Sequence, residues 1–250
     1  MVKSVDGKLA AQTLDELACA HETAAESRIV PTVKGVPGAP LVRSDPEAAI
    51  EQFDQRTLEF YATEAPDYHA RSTAGINCDL PGFLDRLPAE AIILELGCGA
   101  GRDAAYTEER GFRVEPTDGV AAMAALAEQR LGRPIRIMRF DELVASEQYD
   151  AVYASYSLLH VPRAALVDVL GRIWGALKPG GWHMATYKSG GDEDRDSLDR
   201  YFNYLSPEQA RSYYVAAGVW QSIELSEGEG AGYDGRISPW VNVIAQKALA

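Results

Sequence analysis

The sequence is poor in the residues that staple a chain or bind a metal. Its 250 residues hold three cysteines (Cys19, Cys78, Cys98) and four histidines (His21, His69, His160, His183). They form no CxxC pair and no HxxxH pattern, which argues against a disulfide framework or a structural metal site. Positive charge is also scarce: 24 Lys plus Arg stand against 37 Asp plus Glu, a formal charge of −13. Such a surface repels phosphate backbones and anionic lipid heads, so nucleic acid and membrane are poor partners. No apolar run approaches spanning length, and the opening "MVKSVDGKLAAQ" has no apolar stretch of the signal-peptide kind. A soluble, cytoplasmic protein is the expectation.

What remains is a globular composition, 46% hydrophobic and 24% charged, of a size that suits one domain with a terminal extension. Residues 1–44 read as that extension. Leu14, Leu17, Ala18 and His21 are spaced for a short helix, and Pro31, Pro37 and Pro40 mark an extended arm. From Pro46 a second helical pattern brings Ile50, Phe53, Leu58 and Tyr61 near one face, with Ser44 and Asp45 as its start signal.

Beyond it, strands and helices alternate. Strands are expected at 91–96, 112–117, 135–139 and from Tyr149, and helices at 101–110 and 120–131. A short helical segment follows Asp141. "PRAALVDVLGRIWGALK" reads as a helix ending at Lys178, before a Pro179-Gly180-Gly181 stop, and "WHMATYKS" as a fifth strand. A helix at 207–217 and two glycine-linked strands close the chain. Strands separated by helices of this length pair in parallel through right-handed crossovers. The fold class is α/β, doubly wound, with the last two strands able to pair antiparallel at the sheet edge.

The chemistry concentrates in "IILELGCGAGRDAAY", where Gly97, Gly99 and Gly101 alternate after a strand. In an open α/β sheet this turn lies at the ligand crevice. "GAGRDA" also satisfies a relaxed dinucleotide fingerprint, so NAD and S-adenosylmethionine (SAM) both fit the loop alone. No GK[ST] follows, which excludes a phosphate-cradling P-loop. Three details favour SAM. Glu95 precedes the glycines, where a carboxylate suits an ammonium group and would repel a pyrophosphate. Asp118 ends the second strand, placed for two ribose hydroxyls, a point that NAD shares. Phe140 and Asp141 end the third, an apolar wall and an acceptor for an adenine amine. Asp118 and Asp141 could equally cap the segments after them.

Taken together, "ILELGCGAGRD", "VEPTDG", "RFDEL", "YDAVYASYSLLHV" and "ALKPGGWHMATY" resemble a class I SAM-dependent methyltransferase over about 53–247. "YKSGGDEDRDSLDRYFNYLS" further resembles a bacterial small-molecule branch. The resemblance implies a mostly parallel seven-stranded sheet with helices on both faces and an antiparallel last strand. It makes 45–250 the methyltransferase domain with an N-terminal helical cap. It assigns Glu95, Gly97, Cys98, Gly99, Gly101, Asp118, Gly119, Met123, Phe140, Asp141, Glu142 and Tyr156 to the cofactor. Tyr68 and Arg71 would close over it from the cap.

His160, following the fourth strand, is the candidate general base. Tyr187, Arg195, Tyr201 and Tyr204 are the candidate acceptor contacts, on or beside a loop over the strand ends. The run "DEDRD" also reads as a solvated charged face. Cys98 has no histidine partner in sequence, so a nucleophilic role is not expected. No metal is called for. The expected reaction moves a methyl group from SAM to a small molecule, leaving S-adenosylhomocysteine (SAH). An NAD-dependent oxidoreductase and a non-catalytic SAM-binding protein are the rivals. A homodimer formed through the extension is a further expectation.

Overall fold

The computed structural model describes residues 51–71, 75–231 and 236–249, the side chains of 68–71 and 231 excepted. The N-terminal extension and its helix and arm therefore lie outside the described residues, as do Ser44, Asp45 and Pro46.

The first described helix, α1 (Gln55–Arg71), begins later than expected. Asp54 is the reason. Its carboxylate accepts the Thr57 backbone N–H at 2.8 Å and the Thr57 hydroxyl at 2.7 Å, satisfying donors that a helix start leaves open. A short α2 (Leu80–Leu84) leads into β1 (Ile92–Leu96). Then follow α3 (Arg102–Glu109), β2 (Arg113–Asp118), α4 (Ala121–Leu131), β3 (Arg136–Ile137) and β4 (Tyr149–Ser155). The chain continues through α5 (Leu166–Ala176), β5 (Leu177–Lys188), β6 (Glu193–Arg195), β7 (Tyr201–Asn203) and α6 (Pro207–Ala217). It finishes with β8 (Trp220–Ala231) and β9 (Ile237–Lys247).

Seven strands form one sheet in the order β3-β2-β1-β4-β5-β9-β8. All neighbours from β3 to β5 are parallel, and β9 runs antiparallel between β5 and β8. Chain order reverses between β1 and β4, so the crevice for a ligand opens beyond their carboxyl ends.

Three boundaries depart from the sequence reading. The α5 helix stops at Ala176, and Pro179-Gly180-Gly181 lies inside β5 instead of ending a helix. Leu177 already pairs with Tyr149, and the next pairing joins Ala151 to Trp182, so the intervening residues bulge. Gly181 is needed there, since a Cβ would stand 2.9 Å from the Lys178 carbonyl oxygen. The third strand shrinks to two residues at the sheet edge, followed by a 3-10 turn at Phe140–Glu142. Finally, the acidic loop is a built hairpin: β6 pairs antiparallel with β7.

The main core fills the face under α5 and α6, with Val152, Ala185, Tyr187, Leu170 and Tyr214 among its members. A second cluster, including Phe83, Ile93, Tyr153 and Met184, lies under α2. Helix α1 packs on α4 through Ala65, Leu58 and Tyr61 against Val120 and Met123. That contact sets the helical cap over one side of the crevice.

Candidate functional site

The glycine loop joins β1 to α3, and its three glycines do different work. Each has a left-handed backbone, φ 73° at Gly97, 55° at Gly99 and 72° at Gly101, which L side chains rarely adopt. A Cβ at Gly97 would lie 2.5 Å from the Ser157 Cβ, and one at Gly101 would lie 3.1 Å from the Ala127 Cβ. Those two are therefore required by packing against the β4 end and against α4. Gly99 meets only the flexible Met123 methyl, at 3.6 Å. Of the three, Gly99 is the position where a ligand gains from the missing side chain.

Three carboxylates surround this loop. Asp118 Oδ2 accepts the Gly99 N–H and Oδ1 the Val120 N–H, both at 2.9 Å, so it ties the loop to the start of α4. Each carboxylate oxygen retains a second lone pair for a hydroxyl. Burial raises its pKa to about 6 against the pull of those two bonds. Glu95 is 4% exposed, and its Oε2 has no hydrogen-bond partner among the described residues. Burial, then the charges of Asp103 and Asp118, push Glu95 well above the usual carboxylate range.

Asp103, in the first turn of α3, was not singled out in the sequence. Its Oδ2 accepts the Tyr153 hydroxyl at 2.6 Å and its Oδ1 the Asn77 N–H at 3.3 Å. Spacing alone does not mark it; its position one turn into the helix after the glycine loop is the only sequence signal. Among the described residues no group of three His, Cys, Asp or Glu is placed to hold a metal ion. Cys98 is buried, and burial with the Glu95 and Asp118 charges pushes its thiol far up, so it is not a nucleophile here.

The other expected cofactor residues gather at the same crevice. The Phe140 ring edge would lie 3.6 Å from a Cβ at Gly97, and Gly119 approaches the Arg139 side chain. Met123 is buried between α1 and α4. Tyr156, just past β4, is 37% exposed with a left-handed backbone, φ 47°. Asp141 is already paired: its oxygens take Arg139 Nε at 3.0 Å and Nη2 at 3.2 Å. Glu142 accepts the Arg139 N–H and so closes the turn that carries Phe140. Tyr68 and Arg71 belong to α1, with their side chains outside the described residues.

A second polar group lies where the β6–β7 hairpin meets α1. His160 Nδ1 is 2.7 Å from the Tyr201 carbonyl oxygen, which only accepts, so Nδ1 carries the proton. Nε2 is then the acceptor for the Tyr61 hydroxyl at 3.0 Å, and Tyr61 in turn accepts Arg200 Nη1 at 3.1 Å. Burial, reinforced by the Arg200 and Lys188 charges against the Tyr201 bond, lowers the His160 pKa to about 4. Its lone pair is committed to Tyr61.

Arg200, 3% exposed, donates twice to Asp196 at 2.6 and 2.9 Å and stacks over Phe60 and Phe202. Arg195 reaches back to the Asp54 carboxylate at 2.5 Å and so joins the hairpin to the α1 start. The run "DEDRD" is thus partly structural, with Asp196 and Arg195 holding partners.

The expected acceptor contacts do not all converge. Tyr201 donates its hydroxyl to Glu193 across the hairpin and accepts the Arg163 N–H from the turn before α5. Tyr204 stacks on Phe202. Tyr187 stands apart, fully buried on the α6 face with its hydroxyl 3.4 Å from that of Tyr214. Strand alternation turns it away from the crevice.

The glycine loop, the strand order and the antiparallel β9 define the class I methyltransferase fold. Residues 93–181, from β1 into β5, match the family described as "Methyltransferase domain". Solved structures agree on the fold. A SAM-dependent methyltransferase of Methanosarcina mazei superposes with a TM-score of 0.60 at 16% identity, covering 68% of this chain and 98% of that one. The 1,6-didemethyltoxoflavin-N1-methyltransferase of Burkholderia thailandensis, solved with 1,6-didemethyltoxoflavin and SAH, gives 0.55 at 23% identity. It covers 91% of this chain and 98% of its own. Among curated proteins, Hemagglutinin 1 of Eikenella corrodens is 23% identical over 179 residues. That match takes in 69% of this chain but only 58% of the relative's length.

Proposed function

We propose that this protein is an enzyme that transfers a methyl group from SAM to a small-molecule acceptor by in-line displacement, leaving SAH. The observation that carries the reading is Glu95: a buried carboxylate oxygen without a partner, beside a loop whose Gly99 leaves room for a ligand backbone. That combination suits a donor with an ammonium group and disfavours NAD, whose pyrophosphate would meet three carboxylates. The Burkholderia thailandensis structure, solved with SAH on a similar fold, adds support.

When bound, SAM supplies a methyl group already activated on a sulfonium. The residues of this chain then have three tasks. Gly97, Cys98, Gly99 and Gly101 shape the cradle, Glu95 faces the ammonium, and Asp118 offers its remaining lone pairs to the ribose. Phe140, Asp141 and Glu142 flank the adenine, with Gly119, Met123 and Tyr156 lining the same pocket and Tyr68 and Arg71 closing over it. The cap of α1 and the β6–β7 hairpin excludes water and aligns the acceptor, with Arg195, Tyr201 and Tyr204 at its rim. Alignment of this kind supplies roughly 7–11 kcal/mol of barrier lowering when the geometry is good.

His160 is the proposed base for an acceptor that must lose a proton. Its Nε2 would exchange the Tyr61 hydroxyl for that proton. His160→Ala should then depress turnover while SAH affinity is kept, and an equal loss of both would remove the role.

The same proposal places the domain at 45–250, with 1–44 as an extension and dimer contact. Light-scattering mass with and without 1–44 tests the contact. Among the described residues no helix is long and apolar enough to cross a membrane. With a formal charge of −13, a cytoplasmic setting without nucleic-acid partners is part of the reading. Calorimetric titration with SAH and with NADH decides the donor. Heat from NADH alone would overturn the proposal, and SAH binding without turnover on thiol, hydroxyl, amine or carboxylate acceptors would leave a SAM-binding protein.

A further inference from the structure

Resting on the donor assignment above, we propose that Asp103 joins Glu95 in a two-carboxylate site for the donor's amino group. One proton held on the pair leaves to solvent as the ammonium enters. The geometry starts from the sheet. Tyr153 stands opposite Glu95 in the β1–β4 pairing, on the same face, and its hydroxyl donates to Asp103 Oδ2 at 2.6 Å. The Asn77 N–H holds Oδ1 of the same carboxylate. Asn77 is itself fixed, donating its side-chain amide to Ser155 and to Thr186, both at 3.0 Å. Thr186 passes the chain on to Asn242. Polar groups from β4, β5 and β9 thus converge to orient one carboxylate in the first turn of α3.

The partners differ in what the protein gives them. Asp103 has two donors, so it is the member held as the anion. Glu95 is buried with Oε2 unpartnered, so it is the member that holds the proton. Among the described residues, the groups facing them are the Asp118 carboxylate, the Cys98 thiol, the Tyr153 hydroxyl and Arg102, whose Nη1 is drawn to the Gly75 carbonyl at 3.1 Å. Negative charge therefore outweighs positive charge at this spot. An entering ammonium replaces the proton, and the pair with its guest carries the same net charge, −1, before and after. No bond other than N–H and O–H contacts changes.

The test is calorimetry on the full chain at pH 7, titrating SAH in phosphate and in Tris, buffers that differ in ionisation enthalpy. SAH should release about 0.5–1 proton. 5′-Methylthioadenosine, which lacks the amino acid part, should release none. Asp103→Asn should weaken SAH about ten- to a hundredfold and leave methylthioadenosine within about twofold. Glu95→Gln should abolish the proton release. SAH heats that do not depend on buffer would overturn the proposal, and this count needs only the wild type, whatever the variants do to folding. Wild-type SAH affinity in Asp103→Asn would overturn it as well. If neither nucleoside binds the wild type, the donor reading itself falls, and this inference falls with it.

Discussion

The cradle and the cap hold similar charged groups in opposite ways. Around the glycine loop, Glu95, Asp103 and Asp118 are buried together and, among the described residues, no arginine hydrogen bond to any of them is seen; all three are shifted upward, chiefly by burial, with the Arg102 charge only tempering Asp103. In the cap, burial pushes Asp54 and Asp196 up most strongly of any single cause, yet the hydrogen bonds and charges of Arg195 and Arg200, together with the Thr57, Leu198 and Arg200 backbone donors and the Thr57 hydroxyl, hold both below their ordinary value. The cap neutralises itself, whereas the cradle leaves negative charge for something else to neutralise. A region of the first kind fixes a shape, and one of the second kind is prepared for a cationic guest.

The comparison breaks most visibly at Arg200. Arg200→Met should cost about 3 kcal/mol of stability, because Asp196 would be left half-buried and unpaired. Denaturant unfolding measures it, and a loss under 1 kcal/mol would show that the cap pairing is incidental. A nearly equal effect is expected from pH, with opposite signs for the two buried histidines and for Asp118. His160 and His183 are each lowered from 6.5 to about 4, so their contribution is present above 6.5 and lost as pH falls toward 4. Asp118 is raised from 3.8 to about 6, so its contribution is present below 3.8 and lost as pH rises through 6. Each amounts to about 3 kcal/mol at most. Asp118→Asn should therefore steepen the fall in stability between pH 6.5 and 4, and an unchanged slope would contradict the burial of its charge. The same variant should bind SAH at least about tenfold more weakly.

The glycines sharpen the contrast at lower cost. Gly101→Ala should lose about 1–2 kcal/mol through its left-handed backbone and the Ala127 contact, with a smaller loss of SAH affinity than the same change at Gly99. Gly99→Ala carries a similar left-handed backbone cost and should weaken SAH binding more than Gly101→Ala does, because its Cβ would point into the open side of the loop. Last comes the exposed pair Arg56–Asp199, 3.3 Å apart with both side chains more than half exposed. Arg56→Ala should change stability by about 0.5 kcal/mol or less.

Much of the frame was legible because it rests on local rules. The alternation of apolar strands and amphipathic helices called for a doubly wound sheet, and Ser206 with Gln209 starts α6 by a capping box at the expected residue. Other features needed contacts between distant residues. Pro179-Gly180-Gly181 reads as a stop until Trp182 is paired with Ala151, which turns it into a bulge. "DEDRD" reads as solvated until Asp54, 141 residues from Arg195, supplies a partner. Tyr187 reads as a pocket residue until the pleat sends it under α6.

By itself the sequence determined where the glycine turn and its flanking acids fall, since backbone freedom and side-chain charge are properties of single residues and short spacings. Only the tertiary structure decided which acids stay unpaired. That depends on Tyr153, Asn77 and Arg102 arriving from separate elements, and on burial, which no local pattern sets. The balance of charge left in the cradle is a sum over neighbours distant in the chain, and the fold alone brings those neighbours together.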